Sequence, residues 1–255
     1  MFCLVRTDSA ASARQGISFL LIDMHTPGIT VRPIVAIHGW AVFNDVFLDD
    51  VRVPITNLVG AGNQGWTVAK SLLEFERLKL ARIGENKRRR ARLLEVAPEK
   101  DVSGRRMADR PWFRLRLAKL ETRLLALQAN AASFVARQSA GVPFGAEVSM
   151  LKMRGSRLIQ QWEDLTVDAL GLAALPLDPK ALRSALPGQD GRNIADTASS
   201  RRFLARGNTI ADGSSEIPHN ILAKQVLGLE APPDRPKALG TAVGRTKVPS
   251  ERLLS

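Results

Sequence analysis

One short stretch combines an acid with a helix start. TIADGSSEIPHNILAKQVLGL, residues 209–229, puts Asp212 directly before Gly-Ser-Ser and follows them with an apolar-periodic helix that ends at Gly228. A carboxylate in this position could serve as a base. Asp, Gly and Ser are also ordinary turn and N-cap residues, because short polar side chains satisfy free amides and glycine permits unusual backbone angles. Local chemistry leaves both interpretations of Asp212 open.

A second acid lies in a helical segment, SLLEFERLKLARIG, residues 71–84. Glu76 has Leu72 and Leu73 one turn before it and Leu80 one turn after it, so its position is on the apolar stripe. A solvated position at the edge of the stripe is the alternative. If Glu76 is buried, desolvation raises its pKa and makes it a usable base near neutral pH. Glu76 and Asp212 therefore compete for one role.

Composition limits the class of protein. The chain has 255 residues, of which 45% are hydrophobic, and this is enough for one large or two modest domains with real cores. Its single cysteine, Cys3, cannot form an internal disulfide. The sequence contains no run of about 18 apolar residues, the length that could span a bilayer. The N-terminal MFCLVR is too short for a secretory signal. We expect a cytoplasmic protein that is not inserted in a membrane.

Positive charge is concentrated in ARIGENKRRRARLLE, residues 81–95, within a chain of formal net charge +12. An excess of this size raises the question of an anionic partner. The run has no interleaved aromatic residues for base stacking, no zinc-ligand spacing and no recognition-helix signature. A solvated helix face is the simpler interpretation, with attraction of an anionic ligand second. We expect neither a metal site nor nucleic-acid binding.

The order of the elements predicts an α+β fold. FCLVR, ISFLLIDM, ITVRPI and AVFNDVFLDDVRVP are rich in β-branched and aromatic residues, which predicts an antiparallel meander. Four helical segments follow and predict a four-helix bundle. They comprise residues 66–97, residues 215–228 and two apolar stripes: Phe113, Leu117, Leu120, Leu124, Leu127, Ala131 and Phe134, then Val148, Leu151, Gly155, Leu158, Trp162, Leu165 and Ala169.

These elements predict three parts of the chain: a partial β domain over 1–61, a helical-bundle domain over 62–230 and a disordered tail over 231–255. Residues 97–111 and 175–198 are rich in Pro, Gly and charge and are interpreted as connections. GAGNQG, residues 60–65, matches the dinucleotide fingerprint, but no second strand follows its helix. We interpret it as a glycine-rich hinge between sheet and bundle.

The sequence resembles the FAD-dependent acyl-CoA dehydrogenase family over about residues 1–230. The matching segments, in the family's order, are GISFLLIDMHTPGITVRPI, VFNDVFLDDVRVPITNLVG, NQGWTVAKSLLEFER and TIADGSSEIPHNILAKQVLGL. WFRLRLAKLETRLLALQANAASF and EVSMLKMRGSRLIQQWEDLTVDALG look most like the large subunit of bacterial pimeloyl-CoA-type dehydrogenases. The resemblance implies α,β-dehydrogenation of an acyl-CoA with FAD as cofactor. It also implies electron-transfer flavoprotein as a partner, and a homo-oligomer or a hetero-oligomer with a smaller homologous subunit.

The resemblance also implies site residues. In the family a carboxylate removes the α proton, either from the position of Asp212 or from that of Glu76, and we favour Glu76 because Asp212 is shorter than the usual glutamate. A backbone amide at the position of Asp212 donates to the thioester oxygen. Arg77 matches a substrate-site arginine. The remaining matches concern FAD: Gly213, Ser214, Ser215 and Glu216 fall in the segment that touches it, and Arg137 matches loosely an arginine that reaches a neighbouring subunit's cofactor.

Several positions depart from the family pattern. The Gln-x-x-Gly-Gly-x-Gly segment appears here as DALGLAAL and keeps only Gly171, and the usual Gln-Arg is Pro218-His219. We interpret His219 as a surface residue. The chain also begins within the family's β domain, so we expect activity only in a complete or complemented form. A non-catalytic remnant that serves as an oligomerisation partner is the alternative, and a basic nucleic-acid-binding protein is the third.

Overall fold

A computed structural model describes residues 1–12, 14–76, 81–101, 103–142, 145–175, 194–211 and 213–229, with the backbone alone for 73–76. Strands occupy the first part of the chain and helices the remainder, which confirms the predicted α+β class. The predicted tail and most of the second connection lie outside the described residues.

The strands form two antiparallel sheets instead of one meander. Strand β2 pairs with β1, through Phe2 opposite Leu21, and with β5, through Phe19 opposite Val59. Since both edges of β2 are occupied, β3 cannot join it and pairs with β4 alone. The strands are β1 (Phe2–Arg6), β2 (Ile17–Leu21), β3 (Ile29–Val35), β4 (Ala41–Leu48) and β5 (Leu58–Val59).

The β3–β4 hairpin exposes large apolar side chains. Every residue of β4 is exposed, and Phe43 and Phe47 are about half accessible. The apolar residues that the hairpin exposes are Val31, Ile34, Val35, Val42, Phe43, Val46, Phe47 and Leu48. Alternate residues of a strand point to opposite faces, so Phe43 and Phe47 lie on the other face of β4 from Val46 and Leu48. The exposed apolar side chains therefore lie on both faces of the hairpin.

Six α-helices follow the strands in the described part of the chain. They are α1 (Gly65–Glu76), α2 (Ile83–Val96), α3 (Pro111–Ser139), α4 (Ser149–Leu170), α5 (Ala195–Arg206) and α6 (Glu216–Ile221), which continues as a π-helical turn over Leu222–Val226. Within the described residues, none of these helices combines the length and apolarity that crossing a lipid bilayer requires.

Two helix predictions were wrong. The segment 66–97, predicted as one helix, contains α1 and α2 as separate helices, because Arg82 at the start of α2 has a left-handed backbone with φ +51°. Helix α5 begins inside the predicted connection 175–198. Its buried face consists of small residues, which gives a weak apolar pattern: Ala195, Thr197, Ala198, Ser200 and Ala205.

Helix α4 is the centre of the bundle and contacts α2, α3 and α5. Trp162, Leu151 and Leu165 of α4 are fully buried against Phe113 and Leu127 of α3 and their neighbours in one apolar core. The two apolar stripes predicted from the sequence are the buried faces of α3 and α4, with Leu117 partly buried. This core makes α4 the rigid support on which the candidate site is built.

Gly155 marks the closest approach of α4 to the chain that follows α1. A Cβ at this position would lie 2.2 Å from the Ala81 carbonyl oxygen and 2.9 Å from its carbon. The Asn86 side chain spans the same junction, since its Nδ2 donates to the Arg82 carbonyl at 3.0 Å and to the Gly155 carbonyl at 3.3 Å. Ala81 and Arg82, at the start of α2, are therefore fixed against α4.

Candidate active site

The turn before α6 has a defined backbone. The Ser215 amide donates to the Thr209 carbonyl at 2.8 Å, which closes the loop from Thr209 to Ser215. Gly213 has φ +91°, a conformation that a residue with a Cβ seldom adopts. Glycine therefore allows the chain to reverse here and enter α6 at Glu216. Ser215 is only 5% exposed at the helix start.

Helix α4 holds this turn at two points. The Lys152 Nζ donates to the Gly213 carbonyl, and the Lys152 residue is 2% exposed. One and a half turns further along α4, an Arg157 nitrogen lies 3.4 Å from His219 Nε2. His219 Nδ1 lies 2.6 Å from the Ser215 carbonyl oxygen. Because that carbonyl can only accept and Arg157 can only donate, the neutral form of His219 carries its proton on Nδ1.

The pKa of Glu216 is held below its ordinary value. A hydrogen bond from the Ser214 hydroxyl lowers the pKa of Glu216 most, and its own backbone amide and the charges of His219 and Lys152 lower it further. The turn thus presents a carboxylate, two serine hydroxyls and backbone amides within four residues, 213–216. This set suits hydrogen bonding to hydroxyl and carbonyl groups.

The turn fits the polyol part of FAD better than its diphosphate. Ser215 Oγ is buried and has no hydrogen-bond partner among the described residues, so it is available to a hydroxyl or carbonyl. The ionised Glu216 would accept hydrogen bonds from ribose or ribityl hydroxyls, whereas it would repel a phosphate. Gly213, Ser214, Ser215 and Glu216 thus have the donors and acceptors for the role that the resemblance implies.

Arg137, the other residue predicted to reach FAD, lies at the end of α3. One of its terminal nitrogens is 2.9 Å from Glu147 Oε1, and its guanidinium also lies over the Phe134 ring. This pairing lowers the pKa of Glu147 after the stronger effect of the glutamate's own backbone amide. Arg137 has further N–H donors besides the nitrogen that faces Glu147, and its side chain is 44% exposed, so it could contact a cofactor phosphate while it remains paired with Glu147.

Three predicted site residues are not described beyond the backbone. Asp212 and Arg77 lie outside the described residues, and Glu76 is described only as the last backbone position of α1. The structure does describe Gly213, next to Asp212 in the sequence, and Ala81, five residues after Glu76. Both of these residues contact α4, through Lys152 and Gly155.

The arginine-rich helix α2 is not simply a solvated face. Arg89 Nε lies 2.9 Å from Glu163 Oε1 in the interior, where the Glu163 side chain is 3% exposed. Burial raises the pKa of Glu163, and Arg89, Arg201 and Arg92 act against that shift. Burial also lowers the pKa of Arg201 to about 10. The interpretation of residues 81–95 as a solvated face was therefore wrong for Arg89.

Other surface features lie away from the turn. A cavity of about 230 Å³ opens between α3 and α4 and contains no residue of the turn; it is lined by Arg116, Lys119, Leu120, Arg123, Gln161 and Asp164. Among the residues that the structure describes, His, Cys, Asp and Glu do not form a group of three or more that could bind a metal ion.

Sequence reasoning missed Lys152 and the Arg89–Glu163 pair. Lys152 follows Leu151 and precedes Met153, so the periodicity alone places it at the margin of an apolar stripe. Its partner is 61 residues away, and Glu163 and Arg89 belong to different helices. A charged residue inside a long apolar stripe is the only sequence signal that could have drawn attention to these positions.

Comparison with known proteins agrees with this arrangement. Residues 63–227 match the family model described as acyl-CoA dehydrogenase, C-terminal domain. The chain is 32% identical over 231 residues to acyl-CoA dehydrogenase IpdE1 of Mycobacterium tuberculosis, covering 89% of this chain and 54% of that protein. It is 31% identical to acyl-CoA dehydrogenase FadE34 of the same organism over 89% of this chain and 28% of FadE34.

Solved structures give the same result. The ChsE4-ChsE5 complex from Mycobacterium tuberculosis superposes with a TM-score of 0.73 at 25% identity, over 91% of this chain and 57% of that one. The Tcur3481-Tcur3483 steroid ACAD has a TM-score of 0.73 at 23% identity, over 90% of this chain and 56% of that one, and supports the fold.

The fold and the family match define an acyl-CoA dehydrogenase C-terminal domain. The chain belongs to the acyl-CoA dehydrogenase family. It spans about half the length of IpdE1.

Proposed function

We propose that this chain supplies the base and the thioester-binding turn of an FAD-dependent acyl-CoA dehydrogenase. The reaction removes an α proton and a β hydride from an acyl-CoA and gives a 2-enoyl-CoA. When bound, FAD supplies the acceptor for the hydride, and an electron-transfer flavoprotein then receives the electrons. The observation that carries the proposal is the turn at 213–216, held by α4, in a chain of this family.

The chain has two tasks in this chemistry. A carboxylate must take the α proton, and hydrogen-bond donors must stabilise the enolate charge on the thioester oxygen. We assign the donor to the backbone amide of Asp212, in the turn before Gly213. Arg77 is proposed to contact the substrate. We assign Gly213, Ser214, Ser215 and Glu216 to FAD through hydrogen bonds to its hydroxyl groups.

Glu76 is the base that we favour. It is the last residue of α1, and Ala81, five residues later, lies against Gly155 of α4. Its place on the apolar stripe predicts loss of solvation and a raised pKa, which suits a base near neutral pH. Asp212 precedes helix-start amides, which favour its charged form and make it a weaker base.

Substitution of each acid tests this assignment in the complete protein. Glu76→Gln should lower turnover by about 100-fold or more while FAD remains bound, since the amide cannot accept a proton. Asp212→Asn should cost less, because the backbone amide survives the change. Glu95→Gln, an exposed carboxylate on α2, is the control. If Asp212→Asn abolishes turnover and Glu76→Gln retains it, the assignment is reversed.

We also propose that the chain functions in an oligomer, either with copies of itself or with a smaller homologous subunit. The support is the exposed apolar surface of the β3–β4 hairpin, together with Trp112, Leu115, Leu125 and Val135 on α3. The ChsE4-ChsE5 structure is itself a complex. A non-catalytic oligomerisation partner would use the same surfaces. We propose a cytoplasmic protein, which is consistent with a chain whose single cysteine, Cys3, can form no internal disulfide.

Sedimentation velocity tests the oligomer. We expect dimers or larger species at micromolar concentration. If the β3–β4 hairpin forms the interface, the double variant Phe43→Glu, Phe47→Glu should sediment as a smaller species. A chain that sediments as a monomer at all concentrations would contradict the proposal. Turnover by the complete protein separates the enzyme from the non-catalytic partner.

A further inference from the structure

Lys152 is a lysine inside the bundle. The residue is 2% exposed and lies between Leu151 and Met153, both buried in α4. Lysine is almost never fully buried without a partner, because its amine loses solvation there. The Nζ donates to the Gly213 carbonyl, so at least part of that loss is offset by the turn before α6.

The turn does not need Lys152 to satisfy its carbonyl. Gly213 is an exposed residue, and water can hydrogen bond to an exposed carbonyl oxygen. What Lys152 adds, and water cannot, is a fixed place for the Gly213 peptide relative to α4.

The backbone of the turn at Gly213 requires a contact that fixes it relative to α4. Gly213 has φ +91°, and a glycine can occupy many backbone conformations that other residues cannot. The Ser215 amide closes the loop on the Thr209 carbonyl, and two contacts from α4 hold it: Lys152 on the Gly213 carbonyl, and Arg157 through His219 to the Ser215 carbonyl. Lys152 acts on the residue next to Asp212, whereas Arg157 acts two residues later.

We propose that Lys152 is a positioning residue, which holds the Gly213 carbonyl and thereby fixes the turn whose Asp212 amide is the proposed donor to the thioester oxygen. The inference rests on the proposed function for its catalytic consequence. A displacement of about 1 Å in such a donor can cost about 100-fold in rate. Substrate affinity depends mainly on the rest of the acyl-CoA, so the loss should fall on kcat and leave KM little changed.

Hydrogen–deuterium exchange of this chain tests the positioning without substrate or cofactor. Lys152→Met removes the donor and keeps an apolar stem of similar length, and we expect the amides of 213–217 to exchange about tenfold faster. The core amides of α3 should keep their protection, and the melting temperature should not fall, because a buried amine has been replaced by an apolar group. Lys119→Met, an exposed lysine on α3, is the matched control.

Kinetics of the complete enzyme test the catalytic consequence. Lys152→Met should lower kcat by about 10- to 100-fold with KM nearly unchanged, and Lys152→Arg, which keeps a cationic donor, should recover much of the loss. The rate of α-proton exchange into D₂O on bound acyl-CoA should fall in parallel, since it reports enolate formation separately from hydride transfer. Lys152→Gln, with a shorter donor, serves if Lys152→Met does not fold.

The outcomes are distinguishable. Unchanged exchange at 213–217 in the Lys152 variant overturns the inference, whatever the activity. A variant with a loosened turn and wild-type kcat also overturns it, and so does loss of protection throughout the bundle in both Lys152→Met and Lys152→Gln. If the wild-type enzyme does not dehydrogenate any acyl-CoA, the proposed function fails while the exchange result shows by itself whether Lys152 fixes the turn.

Discussion

Gly155→Ala probes the junction that fixes the chain after α1. The new Cβ would lie 2.2 Å from the Ala81 carbonyl oxygen, whereas ordinary contact begins near 3.4 Å. The two backbones must therefore separate by about 1.2 Å. The obstacle is main chain, so no side-chain rotation can relieve the overlap. The hydrogen bond from Asn86 Nδ2 to the Gly155 carbonyl lies in the same contact.

The magnitude follows from two opposing effects. Overpacking of a close-packed core costs about 1–3 kcal/mol, and a backbone obstacle favours the upper end, near 3 kcal/mol. Replacing glycine by alanine inside a helix stabilises the helix by about 1 kcal/mol. The net loss of unfolding free energy is about 2 kcal/mol. In a chain of this size each kcal/mol of lost stability lowers the melting temperature by about 2–4 °C, so we expect a decrease of about 4–8 °C.

Thermal unfolding followed by circular dichroism measures this shift. Gly84→Ala is the matched control, because its Cβ would meet only a terminal nitrogen of Arg88, at 3.8 Å. Gly84 is exposed in the first turn of α2, so the control should be stabilised by up to about 1 kcal/mol. The two alanines should therefore shift stability in opposite directions. Equal or greater stability of Gly155→Ala would refute the close approach of α4 to Ala81.

Two further substitutions concern ion pairs. Glu163→Ala should lower the free energy of unfolding, measured in urea, by about 3–5 kcal/mol, since Arg89 and Arg201 would face a buried site without a carboxylate. A decrease under 1 kcal/mol would contradict the buried interaction of Glu163 with these arginines. The Ser103 hydroxyl and then Arg110 lower the pKa of Asp101 to about 2 from 3.8. Asp101→Asn should be less stable than wild type at pH 7, and this difference in unfolding free energy should vanish as the pH falls from about 4 to about 2. A difference that does not change with pH would contradict the lowered pKa of Asp101.

The sequence predicted the helices that bury large residues. Helices α3 and α4 carry Leu, Phe and Trp at steps of three and four, and this spacing has no other simple explanation. Helix α5 packs against α4 through alanine, serine and threonine, so its pattern was indistinguishable from a polar connection. The separation of α1 from α2 was not predicted, because residues 77–82 include good helix formers; the structure shows it in the left-handed backbone of Arg82, next to the contact of Ala81 with Gly155.

The candidate site was predictable where its chemistry is local. Asp-Gly-Ser-Ser before a helix predicts a turn with free amides, and Gly213 indeed has a positive φ. Lys152 could not be predicted, because its contact with Gly213 depends on how α4 packs beneath the turn. The same holds for His219: the sequence indicates a surface residue, and only the fold brings Arg157 and the Ser215 carbonyl to its two ring nitrogens.

The most direct test of the proposed activity is an anaerobic titration of the complete protein with acyl-CoAs of graded chain length, followed by visible absorption. We expect at least one acyl-CoA to bleach the flavin band of the wild-type protein and to yield one equivalent of 2-enoyl-CoA per flavin, with Glu76→Gln retaining the band and failing to bleach. A flavin-loaded protein that no acyl-CoA bleaches, with no enoyl-CoA formed, would contradict the account.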